Sequence, residues 1–462
     1  MGKNRLHSLI TSVFLIAIST TCSGCKKILP FLEEEESFKE YKRSYSMNQI
    51  KIAESNTFKK LNSVTYPTSD YAIASQISDS EKEAYASFSN ATYKSVIKTT
   101  DAKNISYSPL GLYSLLNEME YASSREQLTL KLNNLLGLDE AARESFYKKV
   151  MKANSFASET DTTQLKNAAF FNSSYHYSED FVNALTKLYC EAYQLDFGSE
   201  QSKIVEWVNK AVNSEGFIDT KFLELSKDTE LFLFSTLYFK NAWAEKYLEE
   251  DSLEDNFYLS GGESVKTSFM KHSYMTSCYY DYGDYISVKD YYYNLNANVT
   301  YLVPKKAEDN IFELTKDVNI FVDNDEYKVS HDENYSYYMV NLKTPKFKLK
   351  NELNFKLCLN DLGFDDIFDP DIDSFHNAFN DANLDGFNIY VEKMKQKNEV
   401  EFNESGSIVK SVSMASMAKE TAVGPLSDDT IDVNLNQPFI YIIKDRNDTP
   451  IFVGHVDNPK IA

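Results

Sequence analysis

Apolar residues recur at helical spacing through the first half of the chain. In NISYSPLGLYSLLNEMEYA, Leu112, Leu115, Leu116 and Met119 fall at i, i+3, i+4 and i+7 behind a Ser108-Pro109 start, which predicts a helix with proline in its first turn. Phe181, Ala184, Leu185 and Leu188 repeat the spacing, as do Ile204, Trp207, Val208 and Ala211; both read as amphipathic surface helices. Residues 79–98 carry a weaker helical pattern. Further on the period shortens. Strand-like runs occur at 168–171, 231–240, 299–304, 344–349, 387–391, 439–443 and 451–456. Helices dominate the first half and strands the second, so the expected fold class is α+β with large sheets, not alternating βαβ units. No internal repeat is visible.

One stretch fits neither pattern. EFNESGSIVKSVSMASMAKETAVGP, residues 401–425, has no proline or aromatic residue between Asn403 and Gly424, yet lies between strand-like runs that look buried. A structureless connection of that length inside a domain points to function or disorder. Disorder of the ordinary kind is argued against by Ile408, Val409, Val412, Met414 and Met417, since disordered linkers are poor in such residues. Read at period two, Ser407, Val409, Ser411, Ser413, Ala415 and Met417 share one uncharged, mostly small face, with Lys410 on the other. It is a strand in want of a sheet.

The N-terminus reads as a targeting segment. Lys3 and Arg5 precede an apolar run from Leu9 to Ile18, and the small residues Ser23 and Gly24 precede Cys25, resembling a bacterial lipobox in which that cysteine is lipidated. Cys22 stands where a leucine is usual, so plain signal cleavage nearby stays open; a Cys-x-x-Cys redox motif would need a βαβ context that is missing. Residues 26–77 are polar, with acidic Glu33 to Glu36, and are expected to be a tether. An extracytoplasmic protein follows, either lipid-anchored at the membrane or cell surface, or secreted. A length of 462 residues does not decide the domain count, but a formal charge of −21 argues against nucleic acid as a partner.

Other chemistry is sparse. Cys190, Cys278 and Cys358 are far apart and odd in number, and read as small core residues without a disulfide framework. Asp381, Asn383, Asp385, Gly386 and Glu392 fit EF-hand spacing, but no amphipathic helix leads in and 387–391 alternates like a strand, so no metal is expected. The sequence has no HExxH, GxSxG or phosphate-binding glycine loop, and its six histidines are scattered. The 32 tyrosines and 30 phenylalanines are read as core, not as a carbohydrate platform. No catalytic residue and no cofactor is expected.

Four stretches together resemble the serpin family. VNLNQPFIYIIKDRNDTPIFVGHVDNP, from Val433 through Pro438-Phe439 to Asn458-Pro459, matches the family's most specific signature. LYFKNAWAEKY, with Trp243, resembles the third strand of the main sheet and the tryptophan at its top. NAAFFNSSYHYSEDF resembles the second strand and the helix after it, and VNLKTPKFKLKNELNFKLCLNDLGFDDIFDP resembles the Pro-Lys-Phe strand with its Phe-Asp-Pro connection.

The resemblance implies one domain over 78–462, with helices packed on a large mixed main sheet, two further sheets and an exposed reactive-centre loop over about 403–425. That loop is a bait: a serine protease, or a cysteine protease, cleaves it, and it inserts as a new central strand with the protease still acyl-linked. Glu404, Gly406 and Ser407 fit the family's hinge motif, and Lys346 matches the position that pairs with the hinge glutamate. Counting forward puts the scissile bond at Glu420-Thr421, with Lys419-Glu420 the near alternative. The resemblance implies a monomeric protease inhibitor, not an enzyme; a non-inhibitory binding or scaffold module of the same fold is the other reading.

The chain also departs from the pattern. Ile408, Val409 and Lys410 are bulkier than the small residues that inhibitory members carry there. Burying Val409 would cost about 1–3 kcal/mol of packing, against about ten new backbone hydrogen bonds at ~0.5–1.5 kcal/mol net each. Gly111, Ser235 and Gln396 stand where serine, asparagine and histidine are usual, although Ser108 matches.

Overall fold

Polar caps fix where the helices begin. Ser78 opens α1 (Asp79–Thr99) with a capping box, its hydroxyl accepting from Glu81 N while the Glu81 carboxylate accepts from Ser78 N at 2.7 Å. Ser108 caps α2 (Pro109–Ala122), with Pro109 at the first position, where its missing N–H costs nothing. α3 (Glu126–Leu136) ends at Gly137 in the left-handed region, φ 78°, and α4 (Glu140–Ala153) starts on the Asp139 carboxylate. α5 (Glu179–Lys187), α6 (Gln201–Ala211), α7 (Thr220–Leu223), α8 (Ile311–Thr315) and α9 (Phe355–Asp361) complete the α-helices among the described residues.

The structure is a computed structural model and describes residues 49–67, 77–101, 103–157, 161–225, 229–293, 297–306, 309–329, 337–380, 384, 386–407 and 426–461. Its strands are β1 (Lys59–Lys60), β2 (Ile105–Tyr107), β3 (Ser155–Ala157), β4 (Thr162–Asn172), β5 (Cys190–Leu195) and β6 (Leu231–Lys240). The second half adds β7 (Leu253–Tyr258), β8 (Ser264–Thr276), β9 (Tyr279–Asp281), β10 (Tyr285–Tyr291), β11 (Ala297–Pro304), β12 (Tyr337–Pro345) and β13 (Phe347–Asn354). β14 (Lys395–Asn403), β15 (Gly406–Ser407), β16 (Leu426–Asn434), β17 (Phe439–Asp445) and β18 (Pro450–Val456) finish the chain.

These strands form a mixed main sheet and two further sheets, over a core shared with the helices. One further sheet runs β2-β18-β17-β11-β10-β9 and the other β16-β12-β8-β7. The main sheet comes in two halves. In the first, β4 pairs in parallel with β5, β5 with β1, and the other edge of β4 pairs antiparallel with β6 from Thr162↔Lys240 to Phe171↔Leu231. In the second, β13 and β14 pair antiparallel from Phe347↔Phe402 to Asn354↔Lys395, and β15 folds back on the end of β14. A single antiparallel bridge, Asn241↔Ser407, joins the halves among the described residues.

Each face of the first half has its own apolar cover. On one side α2 and α1 carry Leu112, Leu116 and Phe88 into the main core with Leu165 and Phe171. On the other, α6 lays Ile204, Trp207 and Val208 over Ala168, Phe170 and Tyr193. The i, i+3, i+4 stripes of the sequence are therefore the buried faces.

The tether reading does not extend to residues 49–67. Phe58 is buried and stacks on Tyr193 with centroids 5.2 Å apart, β1 extends the main sheet at β5, and Lys60 Nζ lies 2.8 Å from the fully buried Glu191. The pairing is non-local, and the apolar residues Ile50, Ile52, Phe58, Leu61, Val64 and Tyr66 are too irregularly spaced to show a periodicity of their own. Two strand expectations also change. Residues 344–349 are not one strand: Pro345 ends β12 in one sheet and Phe347 begins β13 in another, with Lys346 at the crossing. Alternation survives the change of sheet because both strands are half-buried, so the pattern cannot report it. Residues 387–391 form no strand; Ile389 O accepts from Ser374 N at 2.9 Å and Phe375 N at 3.1 Å, and Phe387 is 64% exposed. The alternation there reflects one anchored isoleucine in a loop. Of the three cysteines described, Cys190 and Cys358 are buried, Cys278 is half-buried, and all are free thiols.

Candidate functional site

Between β6 and β14 the main sheet is open. No ladder joins these strands along their length among the described residues, and a cleft of about 860 Å³ occupies the gap. Gly111, Leu115 and Met119 of α2 line it from behind, and Val212, Phe217 and Phe222 line it from the α6 side. Each wall is a strand with one paired edge and one free edge. A polypeptide strand could satisfy both free edges at once.

The head of the cleft holds the sequence-predicted hinge. Chain direction reverses after β14, with Ser405 N donating to Asn403 Oδ1 at 2.9 Å, and β15 enters between the walls. Ser407 is fully buried there; its N–H donates to Asn241 O at 3.0 Å and its carbonyl accepts from Asn241 N at 3.3 Å. Gly406 makes this entry feasible. Its φ is +139°, and a Cβ built on it would sit 2.1 Å from Asn241 O and 2.8 Å from Ala242 Cα. Only glycine fits without displacing a backbone.

Polar and aromatic groups hold this turn. Lys346 Nζ lies 3.0 Å from Glu404 Oε1, and Ser252 Oγ donates to the same oxygen at 2.6 Å. Burial works against the Glu404 charge, but the hydrogen bonds from Ser252 and Lys346 outweigh it and hold the carboxyl below its ordinary value. Trp243 Nε1 donates to Asn403 O at 2.8 Å, and its ring stacks on Tyr292 at 4.7 Å and 12°. The Tyr292 hydroxyl meets Ser407 Oγ at 2.6 Å. Burial pushes the Tyr292 phenol well above its usual value, so it stays protonated.

Lower in the cleft the walls are fastened unequally. Gln396 of β14 is tied to the start of α2, accepting from Ser108 N at 2.7 Å and donating to Ser108 O at 3.1 Å. Gly111 leaves it room, since a Cβ there would lie 2.9 Å from the Gln396 amide nitrogen. Ser235 of β6 does not join this cluster; its hydroxyl has no partner among the described residues.

A family model described as serpin (serine protease inhibitor) matches residues 83–459. The chain belongs to the serpin family. Serpin-Z4 of Hordeum vulgare is 26% identical over 380 residues, covering 78% of this chain and 91% of that protein. Alpha-1-antichymotrypsin of Pongo abelii is 24% identical over 389 residues, covering 81% and 87%. Among solved structures, the thermophilic serpin tengpin in its native state is similar with TM-score 0.68 and 21% identity, covering 83% of this chain and 95% of that one. The serpin fold and a family whose members are typically protease inhibitors are thereby established.

In this serpin the structure brings together Glu404, Gly406, Ser407, Lys346 and Trp243, all singled out by sequence. Lys419, Glu420, Thr421 and Cys25 lie outside the described residues, as do Asp381, Asn383 and Asp385 of the EF-hand-like run. Gly386 takes φ 87°, and Glu392 lies 3.6 Å from Lys393 Nζ. No group of three or more metal-ligating side chains occurs among the described residues. Sequence reasoning missed Asn241, Ser252 and Tyr292. Asn241 directly follows β6 and could have been suspected from the strand's end; Tyr292 is the middle of three consecutive tyrosines, and nothing in the sequence picks it out.

Proposed function

We propose that this serpin is a suicide inhibitor that traps a serine protease as a covalent acyl complex. The observation that carries the reading is the open cleft with Ser407 already seated at its head: the strand that would fill it is the continuation of β15. In the proposed step the protease serine Oγ bonds to the carbonyl carbon of Glu420, the Glu420-Thr421 peptide bond breaks, and the Thr421 amine leaves with a proton. Residues from Ile408 onward then add to the free edges of β6 and β14, carrying the ester-linked protease with them. Lys419-Glu420 is the near alternative for the bond: Lys419 would suit a trypsin-like pocket, and Glu420 an enzyme preferring acidic residues.

The test is incubation with a panel of serine and cysteine proteases, followed by a denaturing gel. A band at the summed mass with one family of enzymes is expected, and mass spectrometry of the released C-terminal fragment gives the bond. Cleavage of the loop by every protease without such a band would overturn the proposal. A non-inhibitory binding module is the second reading, favoured by Ile408, Val409 and Lys410 at the start of insertion and by the unbridged Ser235. Heat stability separates the two, since a nicked inhibitory chain should melt well above the intact one.

The proposal includes a monomer with an extracytoplasmic location, lipid-anchored through Cys25 or secreted after plain signal cleavage. The leader-like pattern of residues 1–25 supports it. Metabolic labelling with a fatty acid, lost in Cys25→Ala, is the expected result for the anchored form.

A further inference from the structure

Tyr292 links the sheet containing β10 to the hinge, and no other side chain is hydrogen-bonded to the Ser407 hydroxyl among the described residues. Several contacts fix its position. Its ring is stacked on Trp243 at 4.7 Å and set edge-on to Phe239 at 5.1 Å and 76°, and its N–H donates to Ala297 O at 3.1 Å. The Trp243 that holds the ring also holds Asn403 O, at the other end of the turn that introduces β15. One aromatic pair therefore grips the hinge twice, once through the indole N–H before the turn and once through the phenol after it.

We infer that Tyr292 is a positioning residue: its hydroxyl fixes Ser407 between β6 and β14 in the uncleaved molecule and so sets how far the loop is seated before a protease arrives. This rests on the insertion reading proposed above. The reasoning is one of satisfaction. Ser407 and Tyr292 are both fully buried, so water cannot replace either partner if the other is lost. Removing one hydroxyl strands the other, whereas removing both leaves two apolar groups in contact, which is close to neutral. With the Tyr292 hydroxyl gone, Ser407 regains a partner only by leaving the cleft, and the first rung of the new strand goes with it.

The test uses Tyr292→Phe, Ser407→Ala and the double variant of the full chain, uncleaved and without protease. The readout is hydrogen exchange at the Ser407 amide, which donates to Asn241 O. Each single variant should raise that exchange rate about three- to tenfold, and the double variant should return to within about twofold of the parent. Amides of β4 should be unaffected in all three. Unchanged exchange at Ser407 in the single variants would overturn the inference, as would multiplied effects in the double, which is what two independent structural losses would give. The two singles remove the same bond from opposite sides, so misfolding of one leaves the other to decide. Because no protease is present, the result is separate from whether a covalent complex forms. With a protease that does form one, either single variant should raise the stoichiometry of inhibition about threefold or more, as more loops are released cleaved before seating.

Discussion

The two edges of β6 are treated differently by the rest of the chain. Facing β4, the strand is paired along its whole length, and the sheet beyond it is closed by β5 and by the N-terminal β1. Phe170 of β4 lies there between Tyr193 at 5.4 Å and Trp207 at 6.0 Å. The fully buried Glu191 beside them accepts from Trp207 Nε1, Tyr193 Oη and Lys60 Nζ at 2.8–2.9 Å. Facing β14, the same strand has one bridge at its end and a cleft below it. A free strand edge inside a fold is usually a liability. Here both free edges end where Ser407 enters, so under the proposed function the open side is where a strand of the same chain would be added, and the closed side is the wall against which it would pack.

The largest test of this contrast is Phe170→Ala in the closed half. It should cost about 3–5 kcal/mol of global stability by denaturant titration, the range for a large aromatic removed from a packed core. Leu233→Ala on the neighbouring strand faces the cleft and is only half-buried, so it should cost less than half as much. Equal losses would mean that the two sides of β6 are packed alike. Next in size is Gly406→Ala, which meets both a positive φ and the Asn241 carbonyl. A strained backbone of that kind costs about 1–3 kcal/mol, and withdrawal of β15 relieves it. Hydrogen exchange at Ser407 and Asn241 should then rise to loop-like rates while β4 stays protected. Retained protection at Ser407 would show that the hinge tolerates a side chain after all.

How much of this was legible in sequence depends on how local each signal is. Helices such as α2 and α6 carry their own periodicity, and α2 its Ser108-Pro109 start as well, so the apolar positions named for them fall on their buried faces. β6 has its expected limits because its run of leucine and aromatic residues is interrupted only by Ser235 and Thr236 before Lys240. Glu404, Gly406 and Ser407 were singled out through their spacing, and Lys346 and Trp243 through the motifs around them. What escaped depends on contacts between distant segments. Phe58 and Lys60 look like ordinary residues of a polar stretch until β5 lies beside them. Ser252 and Tyr292 matter only because the turn after β14 folds back onto them. The opening of the main sheet has no sequence signature either, since an unpaired edge and a paired one are built from the same half-buried alternation.

Lys60→Met examines the closed side more gently. It removes one donor from Glu191 while Tyr193 and Trp207 remain, and Lys60 itself is one-quarter exposed. A loss of about 1–2 kcal/mol is expected, below the usual figure for a fully buried pair because the lysine is partly hydrated. No change in denaturant midpoint would mean that residues 49–67 merely rest on β5 and do not help to close it.

The smallest expected effect lies on the open side, at Glu404. Burial opposes its charge, yet Ser252 and Lys346 hold its carboxyl below the ordinary value, so the charged form is bound better in the folded hinge than in an unfolded chain. The sign follows from linkage. The contribution is complete above the usual glutamate value of about 4.3 and is lost as pH falls through the lower, folded value. Lys346 is more than one-third exposed, so solvent screens the pair, and Glu404→Gln should cost only about 0.3–1 kcal/mol at neutral pH. That difference should shrink toward zero in acid, read as local protection of the Ser405 and Ser407 amides in parent and variant. A difference that stayed constant from neutral pH into acid would mean that the shape of the turn, and not the carboxylate charge, holds the hinge at the mouth of the open edge.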